Sequence, residues 1–292
     1  MSTEPGTLVP GVELAGGSVI PQLGLGVFQV PAPDTATIVG EALAAGYTSV
    51  DTAAAYGNEA GVGEAIARSC VNRSALFVTT KLGNPDHGRD KALAAFEESL
   101  RALQLEYVDL YLIHWPAPAR DLYVETWQAL IELADSGQAR AIGVSNFNLE
   151  HLERIIEETG RVPVVNQVEL HPGFDQAELR AFHARHGIVT ESWSPLAQAD
   201  PRLFGHPVLQ EIAAAHGKTP AQVILRWHLQ LGCVVIPKAS SRERLDENIA
   251  VFDFELSAAQ MAAIDAIDAV GRTGPDPATF FMGWTPAADN AR

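Results

Sequence analysis

The stretch Val108-Asp109-Leu110-Tyr111-Leu112-Ile113-His114-Trp115-Pro116 decides the fold. Its apolar run does not alternate, which is the pattern of a strand covered on both faces. It stops abruptly at a histidine, a tryptophan and a proline. The same design recurs along the chain. Short apolar runs at 22–27, 48–51, 76–81, 108–114, 139–145, 164–169, 189–193 and 234–237 read as strands. Amphipathic segments alternate with them: 89–103, 122–135, 149–159, 176–186, 219–231 and 242–250 read as helices, and Asp34 and Asn58 are expected to cap the first two helices of the series. Within 89–103, Leu93, Phe96, Leu100 and Leu103 share one face.

This βα rhythm predicts an α/β fold, a closed (β/α)8 TIM barrel in which every strand is followed by a helix. A β-hairpin at 12–20, turning at Gly16-Gly17, precedes it. Two extra helices, 207–216 and 257–268, lie outside the repeat. An open doubly wound sheet is the competitor, but the glycine-rich turn it would carry after its first strand is missing. Gly61-Val62-Gly63 lacks a third glycine, and Gly217-Lys218-Thr219 has Ile212 where a phosphate loop needs glycine. The 292 residues would allow two domains on length alone; the rhythm replaces them with one, residues 1–292, with the barrel at about 22–250 and a C-terminal helix and tail at 251–292.

Composition narrows the function. A hydrophobic content of 47% excludes a disordered chain. The 36 acidic against 20 basic residues, net charge −16, argue against nucleic acid or an anionic membrane as partner. No apolar run approaches the about 20 residues of a membrane helix, and Met1–Gly6 does not begin a secretory signal. The two cysteines, Cys70 and Cys233, cannot build a disulfide scaffold, which fits the cytoplasm.

In a barrel of this kind reactive side chains gather where strands end. The apolar runs here end in Asp51, with Tyr56 just beyond it, then Lys81, His114-Trp115, Ser145-Asn146, Asn166-Gln167 with Glu169, Trp193-Ser194, and Pro237-Lys238. Taken singly, Asp51 could begin a helix and His114 could be a satisfied core histidine. Lys81 is harder to dismiss, because a buried ammonium needs a carboxylate, and Asp51 on the next strand is the natural partner. Together Asp51, Tyr56, Lys81 and His114 suit one task. An ammonium beside a phenol is expected to lower its pKa from about 10 toward neutrality. The phenol can then protonate an oxygen on which negative charge develops. None of the four is placed as a nucleophile, so a hydride from a cofactor fills that role.

The residues that carry this chemistry resemble those of the aldo-keto reductases. Val50-Asp51-Thr52-Ala53-Ala54-Ala55-Tyr56-Gly57-Asn58-Glu59, Thr79-Thr80-Lys81-Leu82, Val108 to Pro116, Ile142-Gly143-Val144-Ser145-Asn146-Phe147 and Ile236 to Asn248 occur in the family's order. Within it the chain is most similar to the prokaryotic diketogluconate reductases. The resemblance implies NADPH (NADP+) as cofactor, a small carbonyl compound as substrate, no metal and a monomer. It implies Tyr56 as the general acid, supported by Lys81, Asp51 and His114. It places Ser145, Asn146 and Gln167 at the nicotinamide carboxamide, Trp193 under the ring, and Ser194 and Leu196 along the pyrophosphate. Lys238, Arg244, Glu247 and Asn248 would hold the adenosine end, and Lys238, Arg242 and Arg244 form a basic island suited to a phosphate. Arg242 reads equally well as plain helix surface. Ala239 stands where relatives carry a phosphate-binding serine, so Ser240 or Ser241 is expected to substitute. Phe28, His114, Trp115 and the segment around Phe281 and Trp284 would line the substrate pocket. Gly83, where many relatives have tryptophan, and the 84–89 loop would reshape it. Two rivals stand beside this reading: a cofactor-binding, redox-sensing regulatory protein, and a Schiff-base aldolase using Lys81.

Overall fold

The computed structural model describes residues 9–281. A hairpin opens it, β1 (Gly11–Glu13) paired antiparallel with β2 (Val19–Pro21), Val12 opposite Ile20. Eight parallel strands follow in sequence order: β3 (Leu25–Gly26), β4 (Ser49–Asp51), β5 (Phe77–Leu82), β6 (Leu110–Ile113), β7 (Ile142–Ser145), β8 (Val165–Glu169), β9 (Val189–Trp193) and β10 (Val234–Val235). Parallel bridges Leu23–Val235 and Gly26–Lys238 join the first of them to the last and close the barrel. At this seam Gly24 N–H donates to Val235 O at 2.9 Å and Val235 N–H to Gln22 O at 3.0 Å. A Cβ on Gly26 would stand 2.6 Å from Ile236 O, so only glycine lets the two strands meet there.

Each barrel strand is followed by a helix on the outside, the series running from Ala32–Ala44 and Glu59–Arg68 through Arg89–Leu103, Tyr123–Asp135, Leu149–Thr159, Ala177–His186 and Pro220–Gln230 to Arg242–Ile249. Helices Pro207–His216 and Ala258–Asp265 are the two expected outside the repeat, and a short one at Pro201–Phe204 joins them. On Arg89–Leu103 the residues Ala92, Phe96, Leu100 and Leu103 are buried against the sheet, and Phe96 meets Tyr111 edge-on at 4.7 Å.

Two of the expected helix caps are different in the structure. Asp34 lies inside its helix, whose N-cap position is Pro31. Pro33 in that first turn has no N–H to satisfy, so less is asked of a capping side chain. Asn58 occupies the N-cap position but does not cap. Its amide donates to Val27 O and Val30 O, and its Oδ1 accepts from Thr52 Oγ1 at 2.8 Å. It ties the loop after β3 to the loop after β4.

The barrel interior differs from end to end. At the N-terminal ends of the strands, Leu14 and Ile20 of the hairpin plug the opening and pack with Phe77, Leu110, Leu112, Ala141, Val165 and Val234. Toward the other end the inward side chains turn polar.

Candidate active site

Asp51 ends β4, Lys81 is the next to last residue of β5, and Tyr56 closes the 3-10 turn Ala54–Tyr56. The fold brings all three together. Lys81 is fully buried, and its Nζ donates to Asp51 Oδ1 at 2.6 Å, to Thr52 O at 2.9 Å and to Tyr56 Oη at 3.3 Å. Burial works against the Lys81 charge, but Asp51 and Tyr56 outweigh it and hold the ammonium above its ordinary value. With its three protons directed this way, the resting Lys81 presents an ammonium and not a free amine.

Tyr56 departs from expectation. Burial lifts the phenol above its ordinary value more than the Lys81 charge pulls it down. The reason is that a phenolate loses its hydration in the barrel mouth, while the one cation near it is already neutralised by Asp51. His114 follows β6, its ring edge-on to Tyr56 at 5.5 Å. Burial, reinforced by the Lys81 charge, holds its pKa well below the usual histidine range, so the imidazole is neutral.

Behind this group Gln167 of β8 donates from Nε2 to Asp51 Oδ2 at 2.8 Å and to Glu191 Oε2 of β9 at 2.9 Å. Glu191 is fully buried, and burial together with the Asp51 charge pushes its carboxyl up to about 8. The sequence held a signal for it: a carboxylate in mid-strand, with valine and threonine before it, is not a core residue by default.

Ser145, Asn146 and Trp193 converge beside Gln167. Ser145 Oγ donates to Gln167 O at 2.8 Å. Asn146, with a left-handed backbone at φ 64°, donates to His114 O at 2.9 Å and accepts from Trp193 Nε1 at 2.8 Å. These bonds fix the half-buried indole as a shelf. Beyond it Ser194 is also left-handed, at φ 47°, and Leu196 is half-buried.

Farther along the rim, Lys238 and Ser240 share a cavity of about 320 Å³ with Gln29, Asp34 and Glu41. Arg244 is exposed and makes no ion pair among the described residues, whereas Arg242 pairs with Asp246 at 2.9 Å. Ser241 accepts from Arg244 N–H as the cap of Arg242–Ile249, which leaves Ser240 as the free hydroxyl. Glu247 accepts from Thr219 Oγ1 at 2.6 Å, so its carboxylate is partly committed to the neighbouring helix. Asn248 is 3% exposed, and its Nδ2 has no partner among the described residues.

The mouth is aromatic. Phe28 lies 5.0 Å from Tyr56, and Trp115 lies 6.4 Å from Trp193. The aromatic ring that covers Trp115 is Phe280, at 4.5 Å, not Phe281, which is 51% exposed. Trp284 lies outside the described residues. Glu169 at the end of β8 straps the C-terminal segment down: it accepts from Thr273 N and Oγ1, both at 2.6 Å, and from Gly274 N at 2.9 Å. A Cβ on Gly274 would stand 2.5 Å from the Trp193 ring. No group of His, Cys, Asp and Glu suited to a metal ion occurs among the described residues, and none of their helices is long and apolar enough to cross a membrane.

Known proteins are similar to this chain in sequence and in fold. A protein of Escherichia coli K12 called methylglyoxal reductase DkgA is 51% identical over 269 residues, 92% of this chain and 97% of its own. A protein of Mycobacterium sp. JLS called an aldo-keto reductase is 53% identical over 271 residues, 93% of this chain and 98% of its own. Among solved structures, the apo form of Gox0644 matches with a TM-score of 0.89 and 50% identity, covering 93% of this chain and 98% of that one. The D53A mutant of Gox0644 in complex with NADPH matches with a TM-score of 0.88 and 49% identity, covering 94% and 99%. The sequence profile of the aldo/keto reductase family matches residues 22–201 and 203–269. On barrel, site and kinship together, the chain belongs to the aldo/keto reductase family.

Proposed function

We propose that this enzyme reduces small aldehydes, ketoaldehydes and diketones to alcohols with NADPH, and that Tyr56 is the general acid. The observation that carries the reading is the contact of Tyr56 Oη with the buried Lys81–Asp51 pair, beside a neutral His114. NADPH bound at this site would supply a hydride for the carbonyl carbon. The chain supplies the proton. Lys81 donates to the phenol oxygen, which leaves the phenol O–H to point at the substrate. His114, being neutral, offers a ring N–H to the same carbonyl oxygen without placing a second cation beside Lys81. A phenol raised by burial remains protonated until the oxygen becomes an alkoxide, a far stronger base, and only then gives up its proton. The Lys81 charge then faces the new phenolate.

The residues present suit the dinucleotide. Trp193 is a fixed aromatic shelf, and Ser145, Asn146 and Gln167 gather beside it. Asn248 holds a buried donor with no partner among the described residues, as a purine acceptor requires, and Lys238, Ser240 and Arg244 offer charge and hydroxyl to a phosphate. Ser194 and Leu196 border the path between the two ends, and Glu247 stands near the adenosine. Phe28, Trp115 and Phe280 suit apolar or activated carbonyls such as phenylglyoxal, and the relative named methylglyoxal reductase supports that class. The test is steady-state reduction of phenylglyoxal and methylglyoxal by the purified chain and by Tyr56→Phe. Wild-type turnover is expected, with a loss of about 10²–10⁴ in kcat for the variant and unchanged NADPH binding. A variant that keeps wild-type kcat removes Tyr56 from the acid role.

A further inference from the structure

Gln167 has one amide, two N–H groups and one oxygen. Its Nε2 serves two carboxyl groups at once, Asp51 on one side at 2.8 Å and Glu191 on the other at 2.9 Å. Its Oε1 accepts no hydrogen bond among the described residues. Chemistry forces this orientation. Turned over, the amide would set its oxygen against the ionised Asp51 carboxylate, acceptor against acceptor. Asp51 alone does not complete the lock, since one bond leaves the amide a rotation about that contact. The second bond comes from Glu191, a group that touches neither Tyr56 nor Lys81 in any hydrogen bond.

We propose that Glu191 is a positioning residue of the reductase: it holds the second N–H of Gln167, so that the amide oxygen is the atom left facing the nicotinamide carboxamide. The inference rests on the reading of Gln167 as a cofactor contact. The charged and titratable groups around Glu191 are Asp51 on β4, Lys81 on β5 and, beyond Lys81, Tyr56. Lys81 can balance one carboxylate in this interior, and Asp51 already takes it. A second buried carboxyl is therefore best accommodated as the neutral acid, whose carbonyl oxygen accepts the Gln167 N–H. Glutamine in its place can do the same.

The test uses Glu191→Gln and Glu191→Met, with NADPH binding followed by fluorescence titration alongside kcat and KM for phenylglyoxal. Glu191→Gln is expected to bind NADPH within about twofold of wild type, and Glu191→Met to bind about fivefold to tenfold more weakly, the weight of one misdirected hydrogen bond. The loss should appear in the Kd and KM for NADPH more than in the KM for the carbonyl. In a Gln167→Met background Glu191→Met should add less than about twofold, because its effect passes through Gln167. A Glu191→Met protein that binds NADPH as wild type does, while wild type binds and reduces, overturns this inference and leaves the function standing. A Glu191→Gln protein as impaired as Glu191→Met, or additive losses in the double variant, also overturns it. A wild-type chain that neither bound NADPH nor reduced carbonyls would overturn both. If Glu191→Met does not fold, the Glu191→Gln titration decides alone.

Discussion

The two ends of the barrel each hold an aspartate with cations, and they are built for different purposes. At the open end Asp51 and Lys81 are 3% and 0% exposed, wholly inside the barrel. At the hairpin end Asp109 accepts Val78 N–H at 2.9 Å and pairs with Arg73 at 2.7 Å and Arg140 at 3.4 Å. Both guanidinium groups lie over the Tyr107 ring, at 4.1 and 3.7 Å from its centre, and both reach water. The lower cluster knits the loops that lead into β5, β6 and β7, and its guanidinium groups spend their hydrogen bonds on Asp109 and on the carbonyls of Leu76 and Tyr107. The upper pair is costly to bury and directs its third Lys81 proton at a phenol. Such a pair gives stability only while both partners are present. What singles out the reactive end is where its leftover hydrogen-bonding capacity points.

The largest way to break this comparison is Lys81→Met. It leaves Asp51 ionisable and unpaired, so stability should fall by about 3–5 kcal/mol and activity to near background. Adding Asp51→Asn should return most of the stability in denaturant melts and none of the activity. A double variant that reduces carbonyls would make the pair structural. Asp109→Asn comes next: a loss of about 1–3 kcal/mol with kcat/KM unchanged. A fall in kcat/KM with stability intact would erase the distinction between the ends.

Arg244→Ala sharpens the picture at the rim. It should weaken NADPH about tenfold, as loss of a charge-assisted phosphate contact does, and NADH hardly at all; equal losses would take Arg244 off the phosphate. The smallest effect concerns pH. Burial keeps the Tyr56 acid form dominant beyond the ordinary phenol pKa of about 10, and His114 stays neutral below 6.5. Reduction should therefore lose little between pH 6 and pH 8, the range in which Glu191 also largely keeps its proton, in steady-state profiles. A main alkaline loss centred below pH 8 would show that the Lys81 charge outweighs burial when the cofactor is present.

Local sequence carried much of this. The apolar run from Leu110 to Ile113 and the polar residues ending each strand were enough to place Asp51, Tyr56, Lys81 and His114 on one barrel end. What local sequence could not carry were balances between distant groups. The direction of the Tyr56 shift depends on burial against one charge. Asn58 has the identity and position of a cap but bonds to Val27 and Val30, about thirty residues earlier. Phe280 and Phe281 are adjacent in sequence, and only the strap at Glu169 decides which meets Trp115. Glu191 was visible as an odd residue in a strand, but its link to Asp51 runs through Gln167 and exists only once three strands are assembled.

The closing seam has a consequence in time. Gln22 donates to Leu229 O and Cys233 O, more than two hundred residues downstream, and Gly26 lies beside Lys238. Every other pair of neighbouring barrel strands is consecutive in the chain. During synthesis the first strand of the barrel therefore emerges early and gains one flank early. Its other edge must wait, open, until the eighth strand has been made. Closing so long a loop is the slow kind of contact. The barrel is completed by its oldest and its youngest strands, and Lys238, where a phosphate would sit, belongs to the last stitch.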